Sequence, residues 1–175
     1  MIHLYCGDGK GKTTAAVGLS VRALGNGVPV VFLQFLKGRG AGEVQVLGAL
    51  GAFVFRGKSG DKFVSQMTDA EKAETKRISD ENLSRACAEV RRLCECGRVL
   101  FVLDEVCAAW NAALVDKEAV SALVERAKGS GCVELVLTGR NPPVFMSEAA
   151  DYVTEMKKIK HPFDAGIRAR RGVEF

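Results

Sequence analysis

Residues 4–16 read Leu4-Tyr5-Cys6-Gly7-Asp8-Gly9-Lys10-Gly11-Lys12-Thr13-Thr14-Ala15-Ala16, and this spacing suits a polyphosphate. A short apolar strand runs into a glycine-rich turn, and Gly11-Lys12-Thr13 then opens a helix, the order a phosphate-cradling P-loop requires. Glycines let successive backbone N–H groups curl round an anion without Cβ clashes. The helix N-terminus adds unsatisfied donors and partial positive charge. Lys12 can reach terminal phosphates, and the Thr13 hydroxyl can ligate Mg²⁺. The spacing departs from the standard P-loop, which has glycine where this chain has Cys6; the glycine has slid to Gly7, giving Gly-Asp-Gly-Lys-Gly-Lys-Thr-Thr. That denser loop points to a specialised nucleotide grip. The bland alternative is a glycine-rich cap on a structural helix.

A second chemical feature is Val99-Leu100-Phe101-Val102-Leu103-Asp104-Glu105, an apolar strand ending in two carboxylates. Strand rigidity would fix an acid near a cation held by Thr13, and either Asp104 or Glu105 could ligate it, directly or through water. A third, Val136-Leu137-Thr138-Gly139-Arg140-Asn141-Pro142-Pro143, ends another strand in a polar turn, with prolines that favour the start of a helix. Arg140 there suits a phosphate contact or a surface ion pair. The C-terminal stretch from Lys157 to Phe175 is basic, with a turn expected at Phe163–Gly166. On residue type alone, His161 within it reads as structural.

These side chains need elements to position them. Continuous apolar runs at Ile2–Cys6, Val28–Phe35, Val99–Leu103 and Val133–Leu137 predict strands buried on both faces. Weaker runs lie at Ala52–Phe55 and Tyr152–Met156. Between them, helical patterns cover Lys12–Leu24, Glu43–Leu50, Thr68 to about Cys96 and Lys117–Lys128, the last with Asp116 as N-cap. Leu83, Ala86, Cys87, Val90, Leu93 and Cys94 fall on one face of the long helix. Strands alternating with helices predict an α/β, three-layer P-loop NTPase-like domain with a mostly parallel sheet over 1–175. Polar, glycine-rich stretches at Arg39–Gly42 and Arg56–Gln66 follow the second and third strands, on the side where ligands bind in open sheets.

The chain's 175 residues, 47% hydrophobic and 26% charged, are ordinary for a globular protein. A net charge of +4, spread along the chain, argues against nucleic acid as a partner. No apolar run is long enough for a membrane span. Met1-Ile2-His3 leads directly into the first strand, so no signal peptide and a cytoplasmic location are expected. The six cysteines include only Cys94-Glu95-Cys96 as a close pair, which lacks zinc-pair spacing; reduced, mostly buried thiols are expected.

Gly-Asp-Gly-Lys-Gly-Lys-Thr-Thr-Ala-Ala, Phe35-Leu36-Lys37-Gly38, Val102-Leu103-Asp104-Glu105, Leu137-Thr138-Gly139-Arg140 and the His161–Phe175 tail occur in that order. Together they resemble the P-loop type of ATP:corrinoid adenosyltransferase over nearly the whole chain. The His-x-Phe-Asp-Ala-Gly tail, ending in Gly-hydrophobic-acid-aromatic, is the most specific part. The resemblance implies transfer of the 5′-deoxyadenosyl group of ATP to the cobalt of a reduced corrinoid: Co(I) attacks the ribose C5′ and triphosphate leaves. ATP, Mg²⁺ and the corrinoid are the implied ligands, an electron donor for cobalt and a homodimer the implied partners. The metal is the nucleophile, in keeping with the absence of an obvious general-base constellation.

By that resemblance Gly7, Asp8, Gly9, Lys10, Gly11, Lys12, Thr13 and Thr14 bind triphosphate, and Thr13 with Glu105 holds Mg²⁺, Asp104 standing beside them. Lys37, Arg140, His161 and Asp164 line the nucleotide or corrinoid cleft. The corrinoid must lose its lower axial ligand before reduction, and Phe53, Phe55 and Phe63 are candidates for the apolar bulk that displaces it; for Phe53 and Phe55 core packing is the favoured role. The chain departs from the family pattern in three places. Asp8 stands where many members have asparagine, Arg56–Gln66 holds no tryptophan (Trp110 lies elsewhere), and the N-terminal extension of longer members has no counterpart. Two other readings share these residues: another P-loop ATPase or phosphotransferase, and a nucleotide-gated corrinoid carrier.

Overall fold

The period-2 alternation of the apolar runs sorts their side chains onto two faces of one sheet. Val31, Leu33, Val99, Phe101, Leu103, Leu135 and Leu137 enter one core cluster, while Val30, Phe32, Leu100, Val102 and Val136 enter the other. The computed structural model describes residues 1–38, 42–167, 169–170 and 172–173. Its six strands are β1 (Ile2–Cys6), β2 (Val30–Gln34), β3 (Phe53–Arg56), β4 (Val99–Asp104), β5 (Val133–Thr138) and β6 (Tyr152–Glu155). They lie in the order β3-β2-β4-β5-β1-β6, and every pairing is parallel, a stricter arrangement than the mostly parallel sheet expected.

Helices α1 (Lys12–Gly25) and α2 (Gly42–Ala49) cover one face, contributing Ala16 and Leu47 to its core. Helices α3 (Asp69–Cys94), α4 (Val106–Asn111), α5 (Lys117–Ala127) and α6 (Val144–Ala149) cover the other. This is the three-layer α/β fold expected. The central strands β2 and β4 are buried throughout, whereas β6 is exposed along its length and β3 is only partly covered. Burial of both faces explains why the central strands read as unbroken apolar runs and the edge strands as weak ones.

Local signals set the helix ends. Thr68 caps α3 with a capping box: its side chain accepts from the Glu71 N–H at 3.2 Å, and Glu71 Oε2 accepts from the Thr68 N–H at 2.8 Å. The Lys62 ammonium, followed by the Thr68 N–H, pulls the Glu71 carboxyl down to about 2. Asp116 caps α5, accepting from the N–H groups of Glu118 and Ala119. Helix α3 has a divided role. Its C-terminal half packs Leu83, Ala86, Val90 and Leu93 on the sheet, while Thr75, Ser79 and Asn82 are buried further up. Thr75 Oγ1 accepts from the Ser59 N–H at 3.1 Å, so this polar half carries the loop after β3.

Phe53 and Phe55 are engaged with α3. The Arg92 guanidinium lies 5.6 Å above the Phe53 ring and that of Arg85 5.4 Å above Phe55. Phe55 packs against the core as expected, whereas Phe53 is exposed on the edge strand. All six cysteines are free thiols, but only Cys6 and Cys107 are buried; Cys87, Cys94 and Cys132 are half-buried and Cys96 is exposed, so burial is less general than expected.

Candidate active site

The carboxyl ends of β1, β2, β4 and β5 open on one cleft of about 820 Å³. One strand, β5, separates the P-loop strand β1 from the acid-tipped strand β4, so the loop and the acids face each other across a short crevice. Three non-glycine residues with positive φ sit at these strand ends: Leu36 (58°) beyond β2, Glu105 (61°) after β4 and Asn141 (49°) beyond β5. Such conformations cost about 1–3 kcal/mol each and gather at functional sites.

The loop owes its glycines to a neighbour distant in sequence. The Gly9 N–H donates to the Met156 carbonyl at 2.6 Å, just beyond β6. A Cβ on Gly9 would lie 2.6 Å from that oxygen, and one on Gly7, whose φ is +100°, would lie 2.5 Å from it. Asp8 does a further job there: its Oδ1 accepts from the Lys158 N–H at 2.9 Å, the main cause of its lowered pKa. Lys158 Nζ in turn pairs with Asp164 at 3.1 Å. The loop and the tail segment therefore form one hydrogen-bonded unit.

Gly9→Ala is accordingly expected to destabilise the protein by about 1–3 kcal/mol, the usual range for overpacking, and to raise the KM for ATP. Gly18→Ala in α1 is the control, since its Cβ would meet nothing within 4 Å. Thermal melts and ATP titrations of the pair check this; equal melting temperatures would contradict it.

Lys12 opens a helix, as the pattern from Lys12 to Leu24 predicts. It is the first residue of α1 and is buried, with Nζ donating to the carbonyls of Gly7 at 2.8 Å and Gly9 at 2.6 Å. Burial lowers its pKa, and the positive charge of Arg140 lowers it further. Its side chain folds back across the loop that precedes it.

The acids divide their work. Asp104, the last residue of β4, is fully buried. Its Oδ1 accepts from Thr13 Oγ1 at 2.9 Å and Thr138 Oγ1 at 2.8 Å, and its Oδ2 accepts from Gln34 Nε2 at 3.0 Å. Glu105 instead lines the cleft, its backbone N–H donating to Thr138 Oγ1 at 2.9 Å. Burial and then the charge of Asp104 push the Glu105 carboxyl up, while Lys37, Lys12 and Arg140 pull it back.

Thr13, Asp104 and Glu105 offer only oxygen, the donor set of a hard cation. Asp104 is a buried carboxylate whose three donors are two hydroxyls and an amide, none of them cationic. Among the described residues no group of three or more His, Cys, Asp or Glu could cage a metal unaided. Mg²⁺ characteristically takes one or two carboxylates and completes its shell with water and substrate phosphate, and one hydroxyl beside two carboxylates can serve it. The residues fit the group.

Of the residues expected at the site, Asp8, Gly9, Lys10, Gly11, Lys12, Thr13, Thr14, Lys37, Glu105, Arg140 and His161 line the cleft. Lys10, Lys12, Lys37 and Arg140 make its wall strongly cationic. Gly7 contributes through its carbonyl to Lys12, and Asp164 through Lys158, without lining it. Phe63 is 78% exposed and stands outside it, just before a 3-10 turn at Val64–Gln66. Of the segment Arg39–Gly42, residues 39–41 lie outside the described residues, as do 168, 171, 174 and 175 of the tail. The turn expected at Phe163–Gly166 is a 3-10 helix, Pro162–Ala165. Sequence reasoning missed Gln34, Thr138 and Glu43; the first two bear on Asp104, and Glu43 lines the cleft.

A family model described as ATP:corrinoid adenosyltransferase BtuR/CobO/CobP matches residues 1–175. Among curated proteins, a corrinoid adenosyltransferase of Pseudomonas aeruginosa is 35% identical over 176 residues, covering 100% of this chain and 83% of the relative. One of Escherichia coli (strain K12) is 34% identical over 183 residues, covering 100% and 85%. The corrinoid adenosyltransferase CobA of Salmonella typhimurium is 32% identical over 178 residues, again covering 100% and 85%.

Proposed function

The chain belongs to the ATP:corrinoid adenosyltransferase family, and from that premise we propose how its cleft moves the 5′-deoxyadenosyl group of ATP to the cobalt of a reduced corrinoid. The observation that carries the reading is one cleft whose wall carries Lys10, Lys12, Lys37 and Arg140 beside Glu105 and Thr13, the last bonded to Asp104. A wall so charged fits a triphosphate, and here the triphosphate is the leaving group.

The loop from Gly7 to Thr14 grips the triphosphate, with backbone donors at the start of α1. Lys12 moves its ammonium from the loop carbonyls to the phosphate oxygens, and Arg140 and Lys37 flank it. These donors stabilise charge that grows on the leaving group as the C5′–oxygen bond breaks, so they act on the transition state rather than on binding alone. A bound Mg²⁺ would be held by Thr13, Asp104 and Glu105 and would supply further neutralisation of that charge. The nucleophile is the substrate's own cobalt: Co(I) gives an electron pair to C5′, the cobalt–carbon bond forms and triphosphate departs. No side chain has to remove a proton. An electron donor must therefore supply Co(I) beforehand. A homodimer is the assembly state in keeping with the family resemblance, and sedimentation tests it.

Phe63 is proposed as an apolar contact to the corrin, on the ground that an exposed aromatic in a polar loop has no core to join. Phe63→Ala is expected to slow reactions begun from Co(II) more than those begun from pre-reduced Co(I), because only the former require loss of the lower axial ligand. Its KM for ATP should hold within about twofold and its melting temperature should hardly move, as for other surface sites. Equal losses from both cobalt states would contradict the ligand-displacing role.

The direct test of the function is incubation with ATP, Mg²⁺ and chemically reduced cobalamin while the corrinoid spectrum is followed. Conversion to a light-sensitive alkylcobalamin spectrum is expected. Consumption of ATP with an unchanged corrinoid spectrum would overturn the reading.

A further inference from the structure

We propose that Gln34 and Thr138, which contact neither substrate in the reading above, are positioning residues that fix Asp104 as the acceptor of the Thr13 hydroxyl proton and so aim the Thr13 oxygen lone pairs at the cation. The inference rests on the proposed Thr13 metal site and names the residues that set its geometry.

Thr138 ends β5 and is fully buried, and its single hydroxyl joins both acids. It donates to Asp104 Oδ1 at 2.8 Å and accepts from the Glu105 N–H at 2.9 Å. The second bond holds Glu105 in its left-handed conformation, φ 61°, where an ordinary residue is strained. Gln34 is also fully buried, and the β2–β4 register sets it directly beside Asp104. Its Nε2 donates to Asp104 Oδ2 at 3.0 Å. The amide has one workable orientation here, because turning its oxygen toward the carboxylate would oppose two acceptors.

With one site of Oδ2 taken by Gln34 and one of Oδ1 by Thr138, the second site of Oδ1 meets Thr13 at 2.9 Å and one site of Oδ2 stays open. A hydroxyl that donates to a fixed carboxylate leaves only lone pairs for anything else. Thr13 is then a pure oxygen donor toward the cleft. Gln34 Oε1 has no hydrogen-bond partner and is the one such buried side-chain atom among the described residues. An unpaired buried acceptor costs free energy, and native structures keep one mainly where a water, an ion or a function accounts for it. An ordered water on Oε1, completing the polar cluster round Asp104, is part of the proposal.

The test uses Thr138→Val, which removes both hydroxyl bonds at nearly constant volume, Thr138→Ser, which keeps them, and Gln34→Met, which removes the amide. Mn²⁺ serves as the probe, its binding followed by electron paramagnetic resonance with and without ATP, beside steady-state kinetics. Losing an outer-shell partner costs roughly 10–100-fold in metal affinity or activity. Thr138→Val and Gln34→Met should therefore weaken ATP-dependent Mn²⁺ binding by about that factor and lower kcat, with the corrinoid KM nearly unchanged. Thr138→Ser should recover most of both. Valine and methionine variants that lose kcat or melting temperature with Mn²⁺ affinity intact would overturn the positioning role and leave the metal site standing. Wild-type protein that binds Mn²⁺ no better with ATP than without would overturn the metal site, and this inference with it.

Discussion

Lys12→Ala is expected to lower adenosyl transfer by about 10²–10³-fold, the scale for losing one preorganised donor to developing charge. The loss should fall on kcat as well as on the KM for ATP, because the ammonium meets the triphosphate most strongly as it leaves. The fold should survive. Lys12 is buried, but its partners are two neutral carbonyls, of Gly7 and Gly9, and Gly9 lines an open cleft. Each such bond is worth only about 1 kcal/mol net. Circular dichroism and a thermal melt should show a folded protein a few degrees less stable at most. Near-normal turnover in that folded variant would remove Lys12 from the mechanism.

Glu105→Gln should separate metal-dependent activity from stability in the opposite sense. The carboxylate lines the cleft beside Asp104, and activity should fall by about 10²-fold with a rise in the Mg²⁺ needed for half-saturation. Stability should hold or improve at neutral pH. Burial, then Asp104, raises the Glu105 pKa, so the fold disfavours its charged form. For a raised carboxylate that penalty is absent below the ordinary carboxylate range and grows as pH rises through and above it. Removing the charge therefore relieves the fold at pH 7 and does nothing at pH 3. Melting curves at those two values check the sign, and a lower melting temperature for the variant at pH 7 would contradict it. An unchanged Mg²⁺ requirement would leave the cation to Thr13 and Asp104 alone.

The central strands and the loop are legible in the sequence because their causes are local or periodic. A strand buried on both faces must be apolar throughout, and a chain folding round phosphate must carry glycine at fixed steps. Short elements are less legible. Helices α4 and α6 span six residues each and have no side-chain N-cap bond, so only the Pro142-Pro143 signal hinted at α6. Gln34 and Thr138 were hidden for a different reason. Each is one polar residue closing an apolar run, and its meaning depends on strand register, which sets Gln34 opposite Asp104. The same holds for Gly9: local spacing accounts for a glycine there, while the contact that forbids any other residue comes from Met156. The helical pattern gives Lys12 its place at the start of α1 and not the direction its side chain takes.

In the proposed mechanism the triphosphate is the leaving group, held whole by the loop, Lys12 and a cation at the acids. Phosphorus NMR of a completed reaction with ATP, Mg²⁺ and pre-reduced cobalamin tests this most directly. Inorganic triphosphate should appear in a one-to-one ratio with adenosylated corrinoid, with no ADP formed during turnover. ADP and orthophosphate in proportion to ATP consumed, whether or not the corrinoid is altered, would contradict it.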